Sequence, residues 1–283
     1  MIKLESIQKN YGDFRLNVSL ELPAGRVSGI VGRNGAGKST TLKAILGLIT
    51  VDGGSAKVFG KEARTLTPED KKRIGAAFSN SGFSTYLNIE DIIRILRNTY
   101  DNFDEAFFRA YCEKNELPMK KRIKDFSTGM NAKLRVLTAI THGADLLILD
   151  EPTAGLDVVA RNEVLDMLRE YLAEDSRRAL LISSHIATDL EGLCDDIYMI
   201  NDGEIVLHED TDVILGEYAV LKLSPESYEK LDKQYILKTK KERFGYTCFT
   251  NQKQFYAENY PEIIIESGGI DEMIIMMTEG GEE

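Results

Sequence analysis

The sequence predicts an α/β fold around a parallel sheet, on three observations. Residues 27–31, 146–149 and 180–182 are short apolar runs of strand length. Segments with helical spacing of apolar residues stand between and after them. A glycine-rich loop, 32–37, joins the first run to a helical segment at 39–48. Strand alternating with helix is the pattern of a parallel sheet.

Each element has its own signal. Residues 1–5 open directly as a strand pattern, with no charged stretch followed by an apolar one, so no secretory leader is expected. Phe14–Leu22 alternates apolar and polar residues strictly, the mark of a half-buried antiparallel strand, and a turn follows at 23–25. From 85 to about 142 the pattern turns helical: Ile89, Ile92, Ile93 and Leu96 share one face. Phe107, Phe108 and Tyr111 mark a second helix, interrupted by Pro118, and Leu134, Leu137 and Ile140 mark a third. This reads as a helical insertion in the α/β unit. Helices follow at 164–172 and 187–193, and Asp202-Gly203 between two apolar runs is a hairpin signal. After 216 the character changes to four short apolar runs among polar helix-like stretches, ending in a helix at 270–278. The expected division is therefore 1–216 and a separable α+β appendage, 217–283.

Composition excludes some functions. The 283 residues carry a net charge of −11. That argues against nucleic acid as a partner, since binding it needs Lys and Arg on the phosphates. It argues equally against a purely electrostatic grip on anionic lipid. Cys112, Cys194 and Cys248 are isolated and read as reduced thiols, neither staples nor metal ligands. No run approaches the ~18 apolar residues of a membrane span. A role at a membrane would need another chain to cross it.

Two motifs carry chemistry. Gly32-Arg33-Asn34-Gly35-Ala36-Gly37-Lys38-Ser39 fits the phosphate-binding P-loop. Its glycines let backbone N–H groups curl around an anion at a helix N-terminus. Lys38 sets a point charge on the β/γ-phosphates, and the Ser39 hydroxyl can ligate Mg²⁺. The side chain of Lys38 is expected to face solvent when no nucleotide is bound. The second motif is the run 146–149 ending in Asp150 and Glu151. Asp150 can hold Mg²⁺ at the strand's edge, and Glu151 can reach a water aligned on the γ-phosphate.

With these motifs in order, residues 1 to about 215 resemble the nucleotide-binding subunit of an ABC transporter. Lys38 and Ser39 match Walker A. Asp150 and Glu151 match Walker B with its catalytic glutamate. Residues 126–130, with Ser127 and Gly129, match the family's signature loop. Residues 154–157, ending in Asp157, match the D-loop. His185, after Ser183 and Ser184, matches the switch histidine, and Tyr11 the aromatic that stacks on adenine. The resemblance implies a RecA-like parallel-sheet core, an antiparallel β-subdomain and a helical subdomain at 85–142. It implies ATP and Mg²⁺ as cofactors. The implied nucleotide-binding set is Tyr11, Gly32, Asn34, Gly35, Ala36, Gly37, Lys38, Ser39 and Thr40, with Ser127, Gly129 and Asp157 acting from a second cassette. Metal ligands would be Ser39 and Asp150, and catalytic groups Glu151 and His185. Implied partners are a second cassette, identical or paralogous, and a polytopic permease that holds the subunit at the cytoplasmic face of the membrane.

The sequence departs from the family at one position. Where a Gln usually contacts Mg²⁺, the attacking water and the membrane partner, this chain has Ser79, followed by Asn80. Slow basal hydrolysis is expected from that loss. The alternative reading is a soluble or regulatory ABC protein with weak or no hydrolysis. Ribosomal types usually carry two P-loops, and this chain has one. Chromosome types insert a long coiled coil between the Walker motifs, for which the stretch from Lys38 to Asp150 is too short. The C-terminal segment and the Thr128-Gly129-Met130 signature resemble Gram-positive exporters of antimicrobial or cytolytic peptides and related drugs.

Overall fold

A computed structural model describes residues 1–78 and 82–279 of the chain, and the backbone alone of residue 279. β1 (Ile2–Tyr11) and β2 (Phe14–Leu22) pair antiparallel. As the alternation in β2 requires, Leu16, Val18, Leu20 and Leu22 are buried and most residues between them are more open. β3 (Val27–Val31) leads through the glycine loop into α1 (Lys38–Ile45). That helix ends short of the expected residue 48. The N–H groups of Gly47 and Leu48 bond back to the carbonyls of Ala44 and Lys43, a C-terminal closure that stops it.

β4 (Gly53–Val58), β5 (Lys61–Glu62), α2 (Pro68–Lys72) and β6 (Ile74–Phe78) follow. The helical segment holds α3 (Ile89–Thr99), α4 (Glu105–Lys114) and α5 (Thr128–Ile140). The predicted face of α3 is the one buried, and Asn88 and Asp91 close its first turn as a reciprocal cap. β7 (Leu146–Asp150), α6 (Val158–Ala173), β8 (Ala179–Ser183), α7 (Ala187–Glu191), β9 (Asp196–Asn201) and β10 (Glu204–Asp210) complete a ten-stranded sheet. Its order is β5-β4-β1-β2-β10-β9-β3-β8-β7-β6. The stretch β9-β3-β8-β7-β6 is parallel, while β5, β4, β1 and β2 pair antiparallel. The β9–β10 turn has Asp202 at φ 45° and Gly203 at φ 82°, the two positive angles of a tight hairpin turn.

α8 (Thr211–Glu217) spans the expected division at 216. Beyond it lie β11 (Ala219–Leu223), α9 (Pro225–Lys230), β12 (Ile236–Glu242), β13 (Gly245–Thr250), α10 (Lys253–Asn259), β14 (Ile264–Ser267) and α11 (Ile270–Glu279). The four strands form a second, antiparallel sheet ordered β12-β13-β11-β14. One face has its own small core around Leu221, Tyr228, Cys248 and Tyr256. The other face does not stand alone. Tyr218, Val220, Phe249, Ile270, Met273 and Met276 belong to the same buried cluster as Ala187, Leu190 and Cys194.

Clean separability therefore does not follow from the packing. Deleting 217–283 removes those six apolar side chains from a shared core. At about 1.5–3 kcal/mol for each buried side chain, the loss rivals the ~5–15 kcal/mol that stabilises a typical domain. The expected result is a truncated chain that melts far below the full one or does not fold, and calorimetric melting checks it. An unchanged Tm would show that 1–216 is sufficient by itself.

Candidate nucleotide site

The sheet order sets the ends of β3, β8 and β7 side by side, so three loops converge at one carboxyl edge, where open α/β sheets form ligand sites. From β3 comes the glycine loop. A Cβ on Gly32 would lie 2.2 Å from the Ile200 carbonyl oxygen, so no larger residue fits there. Gly37, at φ 118°, is the N-cap of α1, a backbone angle that side chains rarely adopt. Arg33, Asn34 and Gly35 are exposed, Ala36, Gly37 and Lys38 buried, and Ser39 and Thr40 half-buried. The N–H of Thr41 bonds to the Gly37 carbonyl at 2.9 Å. The preceding N–H groups of Lys38, Ser39 and Thr40 belong to the unpaired first turn, where an anion is favoured.

The charged groups form one network. Lys38 is only 6% exposed. It is not solvent-facing, which corrects the sequence expectation. Its Nζ donates to the Gly32 carbonyl at 2.7 Å and pairs with Glu151 Oε1 at 3.3 Å. A buried ammonium needs such partners, and the curled loop supplies them. Ser39 Oγ donates to Asp150 Oδ1 at 3.0 Å, and Ser183 Oγ to the same oxygen at 2.6 Å. Glu151 takes the left-handed backbone conformation, φ 51°, uncommon for a non-glycine residue. Its N–H is held by the Ser183 carbonyl and hydroxyl, both at 3.1 Å. That bend turns its carboxylate between Lys38 and His185, whose Nδ1 lies 2.5 Å from Oε2. With Nδ1 on the carboxylate, Nε2 is the ring nitrogen left for another partner.

The donor set fits Mg²⁺. A hydroxyl and a carboxylate oxygen in mutual contact are hard ligands of the kind that ion takes, with its other positions left to phosphates and water. Among the described residues no group of three or more His, Cys, Asp or Glu side chains could hold a metal unaided.

The remaining expected residues lie apart from this network. Tyr11 is 49% exposed, with Lys9 Nζ 5.2 Å from its ring centre. Ser127 caps α5 by accepting the Met130 N–H at 3.2 Å, and Asp157 caps α6 by accepting the Ala160 N–H at 2.9 Å. A Cβ on Gly129 would lie 3.2 Å from that of Ala160, a tight approach on that side. Among the described residues no hydrogen bond or ion pair joins Tyr11, Ser127, Gly129 or Asp157 to Lys38, Asp150 or Glu151. Ser79 and Asn80 lie outside the described residues. The residue that motif reasoning passed over is Ser183. The Ser-Ser pair closing the apolar run before His185 was the available signal.

A glycine loop on a helix end, with a lysine, a hydroxyl and two carboxylates at the edge of a parallel sheet, defines a P-loop nucleotide-binding protein. Residues 16–154 match the sequence model of the ABC transporter family. The lantibiotic transport ATP-binding protein SrtF of Streptococcus pyogenes is 32% identical over 75% of this chain and 92% of its own length. The bacitracin transport ATP-binding protein BcrA of Enterococcus faecalis is 30% identical over 73% of this chain and 68% of its own. A dimeric ATP-binding cassette solved in a post-hydrolysis state with ADP and Pi shares the fold. Its TM-score is 0.64, at 22% identity, covering 74% of this chain and 98% of that one. The chain belongs to the ABC transporter family as an ATP-binding subunit.

Proposed function

We propose that this chain hydrolyses ATP as the motor subunit of an ABC transporter. It closes head to tail on a second cassette, a copy or a paralogue, and drives a separate polytopic permease that exports a peptide or drug-like substrate. The observation that carries this reading is the single network of Lys38, Ser39, Asp150, Glu151 and His185 at one sheet edge.

In this reading Lys38 leaves the Gly32 carbonyl and Glu151 for the β/γ-phosphates, while the free N–H groups of the loop cradle them. Tyr11 stacks on adenine. Ser39 and Asp150 would hold Mg²⁺, which would supply positive charge against the charge developing on the phosphates. Glu151 orients the attacking water and takes its proton. His185, fixed through Nδ1, turns Nε2 towards the γ-phosphate. Ser127, Gly129 and Asp157 reach the nucleotide from the second cassette, consistent with Ser127 and Asp157 being exposed and Gly129 half-buried. The chemistry is positioning and charge stabilisation.

The transport partners rest on the relatives and on one surface. Relatives named for lantibiotic and bacitracin transport support export of peptide-like cargo. Among the described residues no helix is long and apolar enough to cross a membrane; in this reading a permease supplies the path. A cleft of about 820 Å³ opens between β6 and the helical segment, lined by Ala77, Leu96, Ile123, Leu134 and Thr138. In this reading it is the surface that receives a permease loop.

The test is recovery of the tagged chain from native membranes. A polytopic membrane protein should co-purify, and the complex should release phosphate from Mg·ATP. Recovery without a membrane partner and without phosphate release would favour the regulatory alternative.

A further inference from the structure

We propose that Asp189 is a positioning residue for hydrolysis, setting the segment that carries His185 against Glu151. The inference rests on the motor reading above and extends it to a residue outside the recognised motifs. Asp189 lies on α7, the short helix that begins just after His185, and is 1% exposed. Its Oδ2 accepts a hydrogen bond from Thr153 Oγ1 at 2.5 Å. Its Oδ1 faces Arg161 Nε at 3.7 Å, and that buried Nε has no hydrogen-bond partner among the described residues. One carboxylate thus ties together three stretches: the turn after Glu151, the helix after Asp157 and the helix after His185.

The Thr153 contact bears directly on the catalytic pair. Thr153 is fully buried, in a turn whose Ala154 N–H bonds to the Glu151 carbonyl at 3.3 Å. Glu151 is in the left-handed conformation and is held from the other side by Ser183. The contact between Glu151 and His185 is therefore framed twice. Ser183 links the two chain segments before it, and the Thr153–Asp189 bond links them beyond it. His185 itself is half exposed, with Glu151 as its only hydrogen-bond partner among the described residues, so its ring goes where the backbone carries it. A merely structural position in this apolar setting needs no carboxylate, since burying one is costly unless each oxygen is used. Here both oxygens are directed at residues that frame the site.

The test uses the full chain with D189N, T153V, T153S and the double variant D189N/T153V. D189N turns an amide N–H₂ or a weaker acceptor onto Thr153 and Arg161. T153V removes the hydroxyl at constant shape. Three quantities are measured: ATP affinity by titration calorimetry, phosphate release per folded protein, and the ring resonances of His185 without nucleotide. The chain has three histidines, so that signal is assigned by comparison with H185Q. In D189N and T153V, turnover should fall ~10–100-fold, the scale of a small misplacement of a catalytic group. ATP affinity should stay within about threefold, because the glycine loop is untouched. The double variant should be no worse than either single one, T153S should behave as wild type, and the His185 signal should move in D189N and T153V only. A drop in Tm with unchanged turnover and an unmoved His185 signal overturns the proposal, as does multiplication of the two losses in the double variant. Should wild type release no phosphate, the motor reading fails, while the His185 signal still decides whether Asp189 positions it.

Discussion

Glu151→Gln is expected to retain ATP and nearly stop its hydrolysis. The substitution keeps the side chain's length and shape, so the left-handed turn and the backbone bonds from Ser183 remain. What disappears is the ability to take a proton from water, a role worth ~10²–10⁴-fold in rate. The ground-state effect has the opposite sign. Oε1 of Glu151 lies 3.3 Å from Lys38 Nζ and pairs with that cation. An amide there releases Lys38 to phosphate and removes a negative charge from beside the triphosphate. Affinity should therefore hold or rise as turnover falls, and with Mg·ATP the variant should accumulate as a dimer. Size-exclusion chromatography and phosphate release read the two halves. A variant that stays monomeric and turns over at the wild-type rate would sink the assignment of Glu151.

The convergence of motifs was legible in the sequence because each is local. A strand followed by glycines and Lys38, or an apolar run ending in Asp150 and Glu151, states its own geometry. Contacts that depend on register were not. Ser183 reaches Asp150 because β8 lies between β3 and β7, with Ser183 opposite both Ile30 and Asp150. Nothing along the chain declares that pairing. The left-handed bend at Glu151 was equally silent, since it is imposed by bonds from β8 and not by a glycine. Lys38 shows the reverse case. Its place in the loop was clear, but an empty loop was expected to leave it in water, whereas the carbonyl of Gly32 and the carboxylate of Glu151 are nearer. In the C-terminal segment all four apolar runs are strands and the last is followed by a helix. That segment's shared core with α7 depends on which face of a two-sided sheet meets the rest of the chain. Both faces carry apolar residues, so alternation could not choose between them.

Lys38→Ala is expected to abolish useful ATP binding, and its effect on the fold follows from the same contacts. With phosphate present, Nζ would make charge-assisted bonds of about 1.5–3 kcal/mol each. Losing two of them weakens affinity by roughly 100-fold or more, at about 1.4 kcal/mol per factor of ten. Without nucleotide the lysine also has work to do in the fold. Alanine leaves the Gly32 carbonyl without its 2.7 Å donor and Glu151 without its cation. An unsatisfied buried acceptor costs about 1–3 kcal/mol, which in a chain of this size lowers Tm by only ~2–10 °C. The variant should therefore remain folded, slightly less stable, and unable to bind. The double variant K38A/E151Q separates the two roles. Replacing the stranded carboxylate by a neutral amide should recover part of the lost Tm, while ATP binding stays lost, because the amide supplies no charge to phosphate. Titration calorimetry and melting by circular dichroism measure both. Unchanged affinity in K38A would refute the phosphate role of Lys38, and a double variant no more stable than K38A would show that the ion pair with Glu151 contributes nothing to the resting fold.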